Sequence, residues 1–402
     1  MTEMADSQGI DLFKVCAESK LYVRSSSFHP IDPVQACGLY SGEVVILRGP
    51  NHSARLSPNW TIERQFPYES SALSLEWNMT GTKLAAGCSD GTVVVWCYPT
   101  GEKQIFKLNG PLNCSIIVWN PLNCDVLASF NKSADCKLVL ICEAATDRSY
   151  ELKSNQNVSC VDWISHNRLV CGYDKGTAEI HEIELNDKLT SKLVKKLFVS
   201  AKISHSSDPY SLSEGDVGYN VSSVVWNEEL QLLASSSKDS WIKIWSMDKE
   251  DPIRMMQSSS SCSDLVWSPS SGNEIVEKPF LAGGLENGSI LIWSPLYKIP
   301  EKFPSLFFDG HSHELYKVLF SPNGRFLAST DTVGKLVIWS TKNWEIIYTL
   351  HLSGSHHPCT ISWEATSSKL GISETYGQKP VMNSIPKKQL KSFTQFFLFP
   401  FN

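Results

Sequence analysis

The chain has 402 residues, 42% of them hydrophobic, with thirteen tryptophans and a formal charge of −6. That content supplies ample material for a core, and so mild a charge argues neither for nor against nucleic acid. No apolar run approaches the roughly eighteen residues needed to cross a bilayer. Twelve cysteines without a Cys-x-x-Cys pair read as buried free thiols of a reducing compartment.

Residues 1–20 carry acidic side chains and no apolar h-region, so they are not a secretory signal. They read as a tail or as a strand that closes a ring. Around Phe28, SSSFHPIDPVQACGLYSGEVVIL is the first and most degenerate copy of a recurring pattern. Arg48 to Glu69 is Pro- and Asn-rich and reads as a long surface connection. Residues 73–96, LSLEWNMTGTKLAAGCSDGTVVVW, show the pattern plainly: an apolar run to Trp77, a second run, a polar turn with Asp90, and a third run to Trp96. Near-alternation within such runs marks half-buried strands. Weaker copies follow at Trp119 and Trp163, the latter ending in Glu179-Ile180-His181 where the clear copies place Trp.

An insertion over 184–218 interrupts the series. Its first half, LTSKLVKKLFVSAK, reads as an outer strand with Lys192, Lys195, Lys196 and Lys202 outside; its second, SHSSDPYSLSEGDVG, reads as a mobile loop. The sharpest copy, Val221 to Met247, carries Trp226, Trp245 and a Ser-Lys-Asp-Ser turn whose Asp239 can bond neighbouring amides. Copies at Trp267 (with an insertion, SSGNEIVEKP), Phe320 and Trp363 complete the set, and PKKQLKSFTQFFLFPFN at the end departs from it.

One unit has two apolar faces and requires copies stacked on both sides. The eight anchor aromatics lie 41 to 63 residues apart, against the roughly 40–45 of a WD repeat, with the long intervals marking insertions. The expectation is an all-β fold, an eight-bladed WD40 β-propeller over residues 21–385, with 1–20 and 386–402 outside it.

Motifs for chemistry fail on context. Gly87-Cys88-Ser89-Asp90-Gly91 matches G-x-S-x-G, but a strand follows where a nucleophile elbow needs a helix, so Ser89 reads as a hairpin residue. His311, His313 and Glu314 resemble a metal set, yet Gly310-His311 lies nine residues before Phe320, where WD repeats carry a Gly-His whose His bonds an Asp in the next turn. The position in register with Asp90 and Asp239 is Val333, with Asp331 two residues early, so that network is expected to be imperfect. Asn287 replaces the Asp in the Trp267 copy. His356-His357 has no third ligand at a useful spacing. No Walker A loop, G-x-G-x-x-G or His-Glu-x-x-His occurs. A non-enzyme without cofactor or metal is expected.

LLASSSKDSWIKIWSM at 232–247, VDWISHNRL at 161–169, LYKVLFSPNGRFLAS at 315–329, ISWEATSSKLGIS at 361–373 and the Trp-Ser-Pro of 267–269 go beyond the generic repeat. Over about residues 20–385 they resemble the transducin beta-like family, the WD-repeat subunits of nuclear-receptor corepressor and histone deacetylase complexes. The resemblance implies a nuclear, non-catalytic scaffold whose partners are corepressor and class I histone deacetylase subunits and histone tails. It implies no membrane and no sequence-specific nucleic acid contact. The alternative is a scaffold of another assembly, such as a ubiquitin-ligase substrate receptor. Family members carry an N-terminal LisH-type helical region for self-association; about twenty residues precede the first repeat here, so a monomeric propeller is expected unless such a region is missing from the sequence.

Alternate residues of a strand share a face, which places positions four and six before each anchor at the rim of the propeller. The candidates are Tyr22, Arg24, Leu73, Asn113, Asn157, Asn220, Glu314, Tyr316 and His357. Of these, Tyr22, Arg24, Glu314 and Tyr316 are the strongest as anchors of a contact surface.

Overall fold

The computed structural model describes residues 12–13, 23–49, 61–108, 113–132, 135–185, 189–200, 218–269, 279–295, 305–351, 359–365, 369–374 and 396–398. Among them there is no helix; antiparallel strands build the whole fold. Seven units form complete blades, each a sheet of four consecutive strands. In the second blade these are Ala72–Trp77, Lys83–Cys88, Thr92–Cys97 and Lys103–Lys107. In the fifth they are Val221–Asn227, Leu232–Ser237, Trp241–Ser246 and Arg254–Gln257.

The expected count of eight is corrected to seven complete blades. Among the described residues, the Trp363 unit contributes a hairpin, Cys359–Trp363 with Lys369–Glu374. That hairpin is extended by two short strands from outside any repeat, Phe396–Leu398 and Leu12–Phe13. The reason is physical: an anchor aromatic marks the inner strand of a unit and carries no information on whether a third and fourth strand follow. Inner strands of successive units contact one another, and the hairpin lies between blade seven and blade one.

The outer strands also depart from the sequence reading. Thr61–Phe66, within the stretch read as a surface connection, is the fourth strand of blade one, held to its neighbour by Arg48 on Glu63 at 2.8 Å. Its mostly exposed, polar residues gave no apolar alternation to read. Leu189–Phe198, by contrast, is the fourth strand of blade four, in agreement with the reading of that stretch as an outer strand. Residues 201–217, the insertion at 270–278 and most of the C-terminal stretch lie outside the described residues.

The core lies between blades. Trp77, Leu84 and Trp96 of blade two pack with Val34, Ile46 and Phe66 of blade one, and the Phe66 and Trp96 rings stack at 5.7 Å. Every later junction repeats this sharing. The anchor indoles add a directional bond. Trp77, Trp119, Trp163, Trp267 and Trp363 each donate Nε1–H, at 2.9–3.3 Å, to the carbonyl one residue before the previous blade's anchor. Buried indoles need such an acceptor.

Three junctions lack that bond: the Trp226 indole turns to Glu228, and Phe28 and Phe320 have no donor. At those of Trp226 and Phe320, a carboxylate takes over. Asp162 accepts from the Trp226 amide at 2.8 Å, and Asp264 from the Val318 amide at 3.0 Å.

The turns between second and third strands need one residue in the left-handed region. Gly91 (φ +82°) and Gly334 (φ +86°) adopt it without strain, and Ser240 (φ +66°) takes the place in blade five.

Candidate functional site: a rim of bulged residues

In six blades the pairing of first and second strands slips by one residue. The slips fall between Val23 and Ser25, Ala72 and Ser74, Val158 and Cys160, Val221 and Ser223, Cys262 and Asp264, and Leu315 and Lys317. The extra residue is Arg24, Leu73, Ser159, Ser222, Ser263 or Tyr316, each four positions before its anchor. A bulge lifts a residue out of the ladder and re-aims its side chain. Four of these residues, Ser159, Ser222, Ser263 and Tyr316, line one cavity of about 440 Å³ whose walls come from blades three to seven.

Around this cavity the polar groups are held by one another. The Asn157 amide nitrogen donates to Asp174 at 2.8 Å, and its backbone N–H reaches the other carboxylate oxygen at 3.1 Å. Ser263 donates to Glu314 at 3.1 Å, while Lys238 pairs with Glu286 and stands 4.0 Å from Glu314. Asn220 is exposed, and its carbonyl accepts from the Lys238 amide at 2.9 Å. Tyr316 is 39% exposed, a large ring presented to solvent.

The structure therefore brings Asn157, Asn220, Glu314 and Tyr316 together at one cavity. Arg24 and Leu73 occupy bulges on blades one and two, away from its lining. Asn113 precedes the inner strand of blade three, and its buried side-chain oxygen has no hydrogen-bond partner among the described residues. Tyr22 and His357 lie outside the described residues. Ser159, Ser222 and Ser263 were missed by the sequence reading. The four-residue offset that found Arg24 and Tyr316 finds them too, once small hydroxyl side chains are admitted.

Charged groups also stand on the inner strands. Lys317 Nζ is 3.2 Å from Asp264, whose charge holds the ammonium's pKa above its ordinary value. Burial pushes the Glu76 carboxyl up to about 8 and that of Asp162 up to about 6, outweighing the amides that each accepts. These groups join blades and compensate charge; no described group of three His, Cys, Asp or Glu is placed to hold a metal ion.

The other motifs resolve into turns. Ser89 lies in the hairpin between Lys83–Cys88 and Thr92–Cys97, bonded to Ser70 at 3.0 Å. His311 is wholly buried in a network that is complete, which corrects the expectation of an imperfect one. Its Nδ1–H donates to Asp331 at 3.0 Å, its Nε2 faces the Ser329 hydroxyl at 2.8 Å, and the Trp339 indole donates to that hydroxyl at 3.0 Å. Asp331 also accepts from the amides of Val333 and Lys335, so an acid two positions early both caps the turn and binds the histidine. Asn287 caps its own turn through the Ser289 amide at 3.0 Å. Ten cysteines, Cys37 to Cys262, are free thiols, and burial pushes those of Cys88 and Cys114 up to about 12 and about 11, which makes them poor nucleophiles.

Blades of this pattern, joined by indoles and in blade seven braced by a Trp-Ser-His-Asp network, make up a β-propeller of the WD40-repeat type. Residues 61–97, 210–246 and 303–340 match the profile of the WD domain, G-beta repeat. Protein FIZZY-RELATED 1 of Arabidopsis thaliana is 25% identical over 283 residues, covering 68% of this chain and 51% of that protein. Transcription initiation factor TFIID subunit 5 of Caenorhabditis elegans is 27% identical over 128 residues, 30% of this chain and 18% of that one. The matches thus span about half, or less, of the length of these relatives. In structure the chain is similar to the C-terminal WD40 domain of Sif2, with a TM-score of 0.70, 15% identity, and 96% and 97% of the two chains covered. It is also similar to the computationally designed Ika8 protein, with a TM-score of 0.62, 14% identity, and 97% and 98% covered. Both likenesses concern the fold alone.

Proposed function

We propose that the protein is a non-catalytic scaffold of a nuclear corepressor–histone deacetylase assembly, which holds an extended segment of a partner against its bulged rim. The observation that carries the reading is the cavity of about 440 Å³ walled by four bulged residues, with the exposed Tyr316 ring at its edge. Tyrosine anchors in such settings supply large contact area at little entropic cost. The assembly is supported by the sequence blocks at 161–169, 232–247, 315–329 and 361–373. A transcription setting is further supported by the relative named as a TFIID subunit.

The test is affinity purification from nuclear extract with mass spectrometry, comparing the wild type with Glu314→Ala/Tyr316→Ala. Class I deacetylase and corepressor peptides that disappear in the variant support both assembly and site. The same peptides retained overturn the site. Recovery of only other partners, such as ubiquitin-ligase adaptor subunits, overturns the assembly.

A further inference from the structure

Of the six bulged residues, five are uncharged and one is a cation. Arg24 sits on blade one with its guanidinium 5.1 Å from the centre of the Tyr40 ring and Nη1 donating to Ser71 at 3.1 Å. Both partners are neutral. The other guanidinium N–H groups have no acceptor among the described residues, and no described carboxylate pairs with this charge. Stacking on the ring and the bond to Ser71 fix the plane of the group, so its free donors point in a set direction. A cation that is oriented but, among the described residues, not neutralised is the signature of a recognition group rather than of a structural ion pair, such as Arg48 with Glu63 in the same blade.

We propose that Arg24, stacked on Tyr40, is the subsite for an acidic side chain of the bound segment, so that the rim selects partners carrying an aspartate or glutamate. The inference rests on the reading of the rim as a peptide-binding surface. A planar guanidinium offers parallel N–H groups that match a carboxylate two-to-two. One fixed positive charge also balances one carboxylate. A phosphate dianion would leave charge uncompensated here, since no other bulged residue is a cation.

The probe is a phage-displayed library of random dodecapeptides panned on the full chain. Enriched sequences are then synthesised and measured by fluorescence polarisation. The expected result is one acidic residue at a shared position. Replacing it by the amide, Glu→Gln in the peptide, weakens binding to the wild type about tenfold, the usual effect of losing one charge-assisted contact. The same replacement leaves binding to Arg24→Gln unchanged, and Arg24→Glu selects basic residues at that position. Because the peptide change leaves the protein intact, folding defects do not confound it. Enriched peptides without a shared acidic residue, whose binding is lost in Tyr316→Ala, overturn the inference and leave the scaffold reading standing. Enriched peptides that ignore both Arg24 and Tyr316, or no enrichment at all, overturn both. Phosphoserine binding more tightly than glutamate at that position overturns the carboxylate assignment.

Discussion

Replacing His311 by alanine removes two hydrogen bonds from a group whose side chain is wholly buried. One, to the Asp331 carboxylate at 3.0 Å, involves a charge; the other, to Ser329 at 2.8 Å, is neutral. Bonds of these kinds contribute about 2 and about 1 kcal/mol. Asp331 keeps the amides of Val333 and Lys335, so its carboxylate is not orphaned, and the larger loss of a broken buried ion pair is not expected. The estimate is about 3 kcal/mol. For a chain of this length, with an unfolding entropy of about 2 cal/mol/K per residue, the melting midpoint falls roughly 4 °C. Differential scanning calorimetry of wild type, His311→Ala, Asp331→Asn and the double variant measures both the loss and the coupling, expected near 1 kcal/mol or more. A shift below about 1 °C, or strictly additive losses, refutes the claim that this network ties the blade together.

Two pH effects of opposite sign are expected. Burial lowers the pKa of His29 and His311 below the ordinary 6.5, so the unfolded chain binds protons first and stability falls as pH drops below about 6.5. His29 has a further reason: its Nδ1 accepts from the amides of Ile31 and Asp32 and loses that capacity when protonated. Glu76, pushed up to about 8, holds a proton that the unfolded chain releases, so stability falls by about 1 kcal/mol between pH 7 and 9. Melts in which Glu76→Gln does not flatten that alkaline slope would sink the assignment. Trp119→Phe removes an inter-blade bond of 2.9 Å and is expected to cost about 1 kcal/mol more than Trp226→Phe, whose indole reaches only the nearby Glu228; urea midpoints decide. Tyr316→Ala, at an exposed position outside the ladder, is expected to change stability by less than about 0.5 kcal/mol; a larger loss means that the ring is structural.

The strands around the anchor aromatics were legible because buried, closely paired strands impose alternation on the sequence. Thr61–Phe66 faces solvent on most of its length and imposes none, so it read as a connection. The number of complete blades was not legible for a related reason. Trp363 looks like every other anchor, although among the described residues one further strand of its own repeat follows it. The rim was half legible: offsets from the anchors located Arg24 and Tyr316, but the register slips that turn them outward leave no mark in composition. They arise from strand pairing, which is a property of two segments at once. The role of Asp331 was hidden in the same way. Alignment with Asp239 pointed to Val333, whereas a carboxylate two residues earlier reaches both the turn amides and His311.

The bulges have a consequence for how such a surface changes over time. A residue within a ladder is answerable to its cross-strand neighbours, and one in the inter-blade core to its packing. A bulged residue is released from the strand pairing and is held only by the bonds of its own side chain, as Ser159 is to the Gly172 and Val221 carbonyls at 3.0 and 2.6 Å. Arginine, leucine, serine and tyrosine all occupy the same offset in this one chain while the strands on either side keep their register. The rim is thus a row of sockets with interchangeable fittings. Specificity can be rewritten one blade at a time, by single substitutions, on a framework whose strand pairing stays the same.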